Sequence, residues 1–311
     1  MIETNATVQN PNQPLRRLSW RTVVVPLAFL AIHFVLSNLV AFAYMAILAV
    51  VQAIQNSVSM SDFFENPEVL DQLLGSHILI ITTISGAVII PICLVYLHQA
   101  RRRDRRAYLT EKVKPAQVLA SVAAMIGSLG LINLWIGLLT ALQEQIPMIR
   151  DWMNEYLDSI NAVSTEGSYF WLIFGICLVT PIVEELIFRG VIQGELRKAM
   201  PEWAAIIIQA VIFAAYHFQP IQSSYVLLPG LLLGFAYAVS RSIRVPVIMH
   251  CVFNFLGGVL PALLENNEAA LHGLAIAQFG FILVGAAAFA YLFLNRREPA
   301  AYYQTSQNER S

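Results

Sequence analysis

Apolar residues run along this chain in long, nearly uninterrupted blocks separated by short polar stretches. Eight blocks stand out, at about 22–52, 77–97, 116–142, 168–194, 203–218, 225–240, 245–261 and 271–294. A helix rises about 1.5 Å per residue, so roughly twenty such residues cross about 30 Å of hydrocarbon. The pattern predicts an all-α polytopic membrane protein with about eight transmembrane helices. The fifth, sixth and seventh blocks are short and closely spaced. The first is longer than one crossing needs, and its end, about 46–56, reads as a continuation along the interface. No internal repeat is evident. The expected layout is a tail over 1–21, one transmembrane domain over 22–294 and a second tail over 295–311.

Composition agrees with this picture. Of 311 residues, 57% are hydrophobic and 13% charged, and mean hydropathy is +0.62. Those values lie outside the soluble globular range. Cys93, Cys177 and Cys251 all fall in apolar blocks, as small buried side chains do, and form no metal or disulfide spacing. The first twenty residues are polar without an apolar core, so the first block is expected to be retained and not removed as a signal peptide.

The placement of charge predicts orientation. Seventeen of the 19 Lys and Arg lie in the two tails or in the loops after the second, fourth and sixth blocks, most densely in "RRRDRRAYLTEKVK" at 101–114. The intervening loops, "SDFFENPEVLD", "DWMNEYLDSINAVSTEG" and "LLENNEA", are acidic. The positive-inside rule then puts both termini in the cytoplasm and favours an even number of spans. The basic run reads as a topology signal that contacts lipid headgroups, not as a nucleic-acid patch.

Three charges interrupt the fourth block, in "PIVEELIFRG" at 181–190. An ionisable group in mid-span costs about 2.5–3.5 kcal/mol on insertion scales, so it marks function by default. Counting back from Arg197 places Glu184 roughly 20 Å deep. Glu185 and Arg189 are four apart on one helix face and can pair, whereas Glu184 points about 100° away. Pro181 removes a backbone donor just before them and opens local space. A free carboxylate in such a cavity suits a general base or acid. A structural salt bridge explains the Glu185–Arg189 pair but not the second glutamate.

Two further pairs of polar or aromatic residues lie four apart. Phe213 and His217 stand in the fifth block, His250 and Asn254 in the seventh. Together with Glu184 they offer a base, two imidazoles and an amide donor for a developing oxyanion. Their depths differ on a simple count, because His250 follows Arg244 by only six residues and comes out about 10 Å shallower than His217. Helix tilt, a buried sixth–seventh connection or a cavity open to the cytoplasm would each reconcile them. His33 stands alone in the first block, where packing is the default role.

The ordered set Glu184-Glu185-x-x-x-Arg189, Phe213-x-x-x-His217 and His250-x-x-x-Asn254 resembles the CPBP intramembrane proteases, also called the Abi or CAAX-protease family, which include the type II CAAX prenyl endopeptidases. The match covers roughly 165–260. The resemblance implies peptide-bond hydrolysis inside the membrane, on a membrane-associated peptide or protein. Glu184 would activate water with the help of His217, His250 and Asn254 would donate to the oxyanion, and Glu185, Arg189 and Phe213 would support them. A metal is not favoured, since no H-E-x-x-H occurs, yet zinc held by His217, His250 and Glu184 stays open. The charge asymmetry fits a bacterial plasma membrane. The competing readings are a proton-coupled transporter, which predicts repeats and broken helices in matching halves, and a non-catalytic immunity or regulatory protein.

Overall fold

The computed structural model describes residues 18–55, 67–161 and 169–296, with side chains of 67–72 also set aside. The remaining parts of the tails and of two acidic loops lie outside the described residues; these include Arg16, Arg17, Arg297 and Arg310 and the segments 56–66 and 162–168. Within the described residues the secondary structure is helical. The long elements are α1 (Trp20–Ile54), α2 (Pro67–Arg103), α3 (Pro115–Leu142), α5 (Tyr169–Ala199), α7 (Pro220–Ser240), α8 (Arg244–Leu263) and α9 (Glu268–Leu294). These seven are long and apolar enough to cross a membrane. Two shorter helices, α4 (Pro147–Asn161) and α6 (Glu202–Ala215), complete the set. At 14 residues, α6 is about 21 Å long, so it falls short of a full crossing.

Helix α1 continues without interruption to Ile54, since no Gly or Pro follows Pro26. The second acidic loop contains α4, whose Ile149, Trp152, Met153 and Tyr156 recur at helical spacing and pack toward α3 and α7. Pro147 at its first turn starts it.

The exterior is apolar, as a lipid solvent requires, and a set of charged and amide side chains is buried within a largely apolar core. Leu39, Phe42 and Ile47 of α1 and Ile276 and Leu283 of α9 face outward, whereas Glu185, Arg189, Gln193 and Gln209 have no exposure at all. Helix α5 is the hub, packed by α1, α2, α6, α7 and α8. Helices α3 and α9 run antiparallel as an outer pair. A Cβ on Gly127 would meet the Gly285 backbone at 2.8 Å, so glycine is what lets these two axes approach.

The basic segments gather at one end of the bundle. Glu111 pairs with Arg241 at 2.7 Å, Arg197 with Glu202 at 2.9 Å and Lys198 with Glu195 at 2.6 Å. Glu195 also accepts from Tyr96 at 2.6 Å. In the "RRRDRR" run, Asp104 caps the turn Arg105–Ala107 and is clasped by Arg106 at 2.7 Å, and Arg101 donates to Thr110. That run therefore also folds its own loop. Thr110 bridges Ser242, and the Ile243 N–H donates to the Leu109 carbonyl at 3.0 Å. The α7–α8 connection is thus buried beneath the loop, with Ser242 fully enclosed. His250 nevertheless comes level with Glu184, whose carboxylate is 3.6 Å away, although a count from Arg244 suggests otherwise.

Candidate active site

Helix α5 reaches the site through two wider, π-type stretches, Leu172–Val179 and Leu186–Gln193, which flank the turn carrying both glutamates. The first has a readable cause. The Thr180 N–H donates five residues back, to Gly175, and the next residue is Pro181, which has no N–H. The Ile176 carbonyl is left without a helical donor, and Asn254 Nδ2 supplies one at 2.8 Å. Helix α8 repeats the device. The Leu260 N–H donates back to Phe255, Pro261 follows, and the Leu256 carbonyl accepts instead from Gln278 Nε2 of α9 at 3.0 Å. Gln278 is held in turn by Asn133 of α3, whose Nδ2 donates to its Oε1 at 2.7 Å. A chain of amides thus fixes α8 from α9 and α5 from α8.

The two glutamates have different surroundings. Glu185 is fully buried, and its Oε1 accepts from Arg189 Nη1 at 2.7 Å and lies 2.8 Å from His250 Nδ1. Glu184 keeps 21% of its side chain exposed, and its Oε2 stands 3.6 Å from His250 Nε2. His250, which is buried, therefore bridges the pair, one nitrogen toward each carboxylate. The pairing of Glu185 with Arg189 follows from their four-residue spacing; the link from Glu185 to His250, on another helix, had no sequence signal.

Phe213 organises the rest. Arg189 lies over its ring at 4.5 Å, and His217 and His250 meet it edge-on, with ring centres at 4.9 and 6.0 Å. His217 Nδ1 is 2.8 Å from the Phe213 carbonyl. A carbonyl only accepts, so the ring proton sits on Nδ1 and Nε2 presents a lone pair. Glu184, His217, His250 and Asn254 all line one cavity of about 520 Å³, walled by α3, α5, α6, α7, α8 and α9, with Tyr156 of α4 at its edge. Glu184 and His217, assigned to one water by the resemblance, thus share a compartment.

A polar face of α5 continues from the site to the basic end. Gln193 Nε2 donates to the Gly234 carbonyl at 3.1 Å and to Glu202 at 2.8 Å. Arg189 and Gln209 both donate to the Gly230 carbonyl, at 3.3 and 3.0 Å. Residues 185, 189, 193 and 197 are each four apart, so the stripe was readable in the sequence once Gln193 was counted with the charges. Asn133, Gln209 and Gln278 also stood visible as amides in apolar blocks, but their partners did not.

The zinc alternative finds no donor set. Among the described residues no three His, Cys, Asp or Glu side chains come together in a group able to hold a metal ion. His217, His250 and Glu184 thus line one cavity without forming a metal cluster.

Fold and site together define a multi-pass helical membrane protein with a buried glutamate–histidine centre. Residues 166–256 match the family described as Rce1-like, type II CAAX prenyl endopeptidase Rce1-like, in agreement with the CPBP resemblance. That family is a protease family, and the match supports an intramembrane protease kind of function. Comparison with curated proteins and with solved structures gives no match. The matched segment holds every member of the glutamate–histidine–asparagine set, whereas Asn133 and Gln278 lie outside it.

Proposed function

We propose that this protein is an endopeptidase that hydrolyses a peptide bond of a membrane-associated protein or peptide, using water activated by Glu184. The observation that carries the reading is the convergence of Glu184 from α5, His217 from the turn after α6, and His250 and Asn254 from α8 on one cavity. The bilayer is a bacterial plasma membrane, with the basic end and both termini on the cytoplasmic side.

In this mechanism Glu184, the partly exposed carboxylate, takes a proton from water that also donates to His217 Nε2. The water oxygen bonds to the scissile carbonyl carbon, and the carbonyl oxygen becomes an oxyanion. Asn254 spends one N–H on Ile176 and offers the other to that oxyanion. His250, held by Glu185 at Nδ1, donates from Nε2 to the same oxyanion. Collapse of the intermediate breaks the C–N bond. The proton on Glu184 passes to the leaving nitrogen, and the second proton of the water stays on the product oxygen, giving a carboxylic acid and an amine.

Purified protein reconstituted in vesicles and offered a library of lipid-anchored and transmembrane peptides tests this. Glu184→Gln keeps the shape and removes the base, so cleavage should fall by about 10²-fold or more. Cleavage at the wild-type rate by that variant would reject the mechanism.

A further inference from the structure

Glu184 lines two cavities, not one. The second, of about 380 Å³, lies between α1, α2 and α5, whereas neither α1 nor α2 lines the catalytic cavity. Beyond α5 itself, five polar side chains line it: His33, Ser37 and Asn38 of α1, and Thr82 and Ser85 of α2. A space between three membrane helices has no need of such a lining if only lipid or packing is to fill it. Ser85 is 4% exposed, and its hydroxyl finds no hydrogen-bond partner in the protein. The buried hydroxyl of Thr180, which lines both cavities, has none either. Orphan hydroxyls in a cavity of this size, with polar groups among its apolar walls, are what bound water satisfies, at about 30 Å³ per molecule.

His33 points the same way. The Tyr216 hydroxyl donates to the Leu30 carbonyl at 3.1 Å, so its oxygen can only accept from His33 Nδ1, 2.9 Å away. The imidazole proton is therefore on Nδ1, and Nε2 presents a lone pair as an acceptor for water. Tyr216 directly precedes His217 in the turn after α6, so α1 is tied to the segment that carries the catalytic histidine.

We propose that the cavity between α1, α2 and α5 is a water-binding compartment that delivers the hydrolytic water to Glu184. This rests on the peptidase reading. A bound peptide fills the catalytic cavity and displaces the solvent there, yet each turnover consumes one water at Glu184. A reservoir outside that cavity refills the position while substrate is in place.

Two measurements test the proposal. In a chain with Cys93, Cys177 and Cys251 changed to alanine, Ser37→Cys and the lipid-facing control Leu39→Cys are reconstituted in phosphatidylcholine vesicles. Each is then reacted with a small water-soluble methanethiosulfonate. Only a thiolate reacts, and it forms only where water reaches. The thiol of the Ser37→Cys variant should react at least tenfold faster than that of Leu39→Cys; equal slow rates would overturn the compartment, whatever the enzyme does. In the native-cysteine chain, Ser85→Leu, or Ala41→Phe should the first fail to fold, fills the cavity. The filled variant should lose tenfold or more in kcat with KM unchanged. Unchanged kcat in a folded variant, beside a cleavage-dead Glu184→Gln, would sink the delivery role and leave the peptidase reading standing. Cleavage by Glu184→Gln at the wild-type rate would instead remove that reading, and the delivery role with it.

Discussion

Replacing Glu185 by Gln leaves the Arg189 guanidinium fully buried, with a cation–π contact, one long carbonyl contact and no counter-charge in direct contact. Breaking a buried pair by removing one partner costs about 3–5 kcal/mol. Resistance to unfolding by sodium dodecyl sulfate should therefore drop sharply in Glu185→Gln. It should change by no more than about 1 kcal/mol in Glu184→Gln, whose carboxylate is partly exposed and stands as far as 3.6 Å from His250 Nε2. Equal losses in the two variants would show that the neighbours are not divided between support and chemistry. Spacing alone separated them, since i,i+4 geometry gives Glu185 to Arg189. It did not reveal His250 between them, because a contact across 65 residues depends on how α5 and α8 pack and not on local periodicity.

At the scale of the helices, the apolar blocks carried the long elements, since about twenty apolar residues admit few alternatives to a span. They did not carry α4, whose charges concealed its apolar face, or the π-type stretches, which need a proline and a donor from another helix. Those stretches make a prediction. Gln278→Leu removes the donor to the Leu256 carbonyl and leaves Asn133 unpartnered, at a cost of about 1–3 kcal/mol. The bulge in α8 then relaxes toward a regular helix and turns His250 and Asn254. Cleavage should fall about tenfold in Gln278→Leu and recover in part in Gln278→Asn; a fully active leucine variant would disconnect α9 from the site. Gly127→Leu should separate α3 from α9 and lower stability more than the same change at Gly137, where a Cβ would meet nothing within 4 Å.

For the whole molecule, the described basic segments share one end, and the expected orientation turns that end to the cytoplasm. In intact cells, with the native cysteines replaced, a membrane-impermeant thiol reagent should label Glu265→Cys. It should reach Lys112→Cys only after the membrane is permeabilised. Both residues are exposed, at opposite ends of the bundle by helix direction. The reverse pattern would invert the topology. Helix α6 carries a further consequence. Its 14 residues end beside His217, and the turn into α7 holds Phe218 in the left-handed region, 75% exposed. A rod of about 21 Å in a layer of about 30 Å pulls the headgroups inward on that side, at fractions of a kcal/mol per Å of mismatch. Proteolysis should then track acyl-chain length, faster in thin bilayers that match the dip and slower in thick ones that resist it.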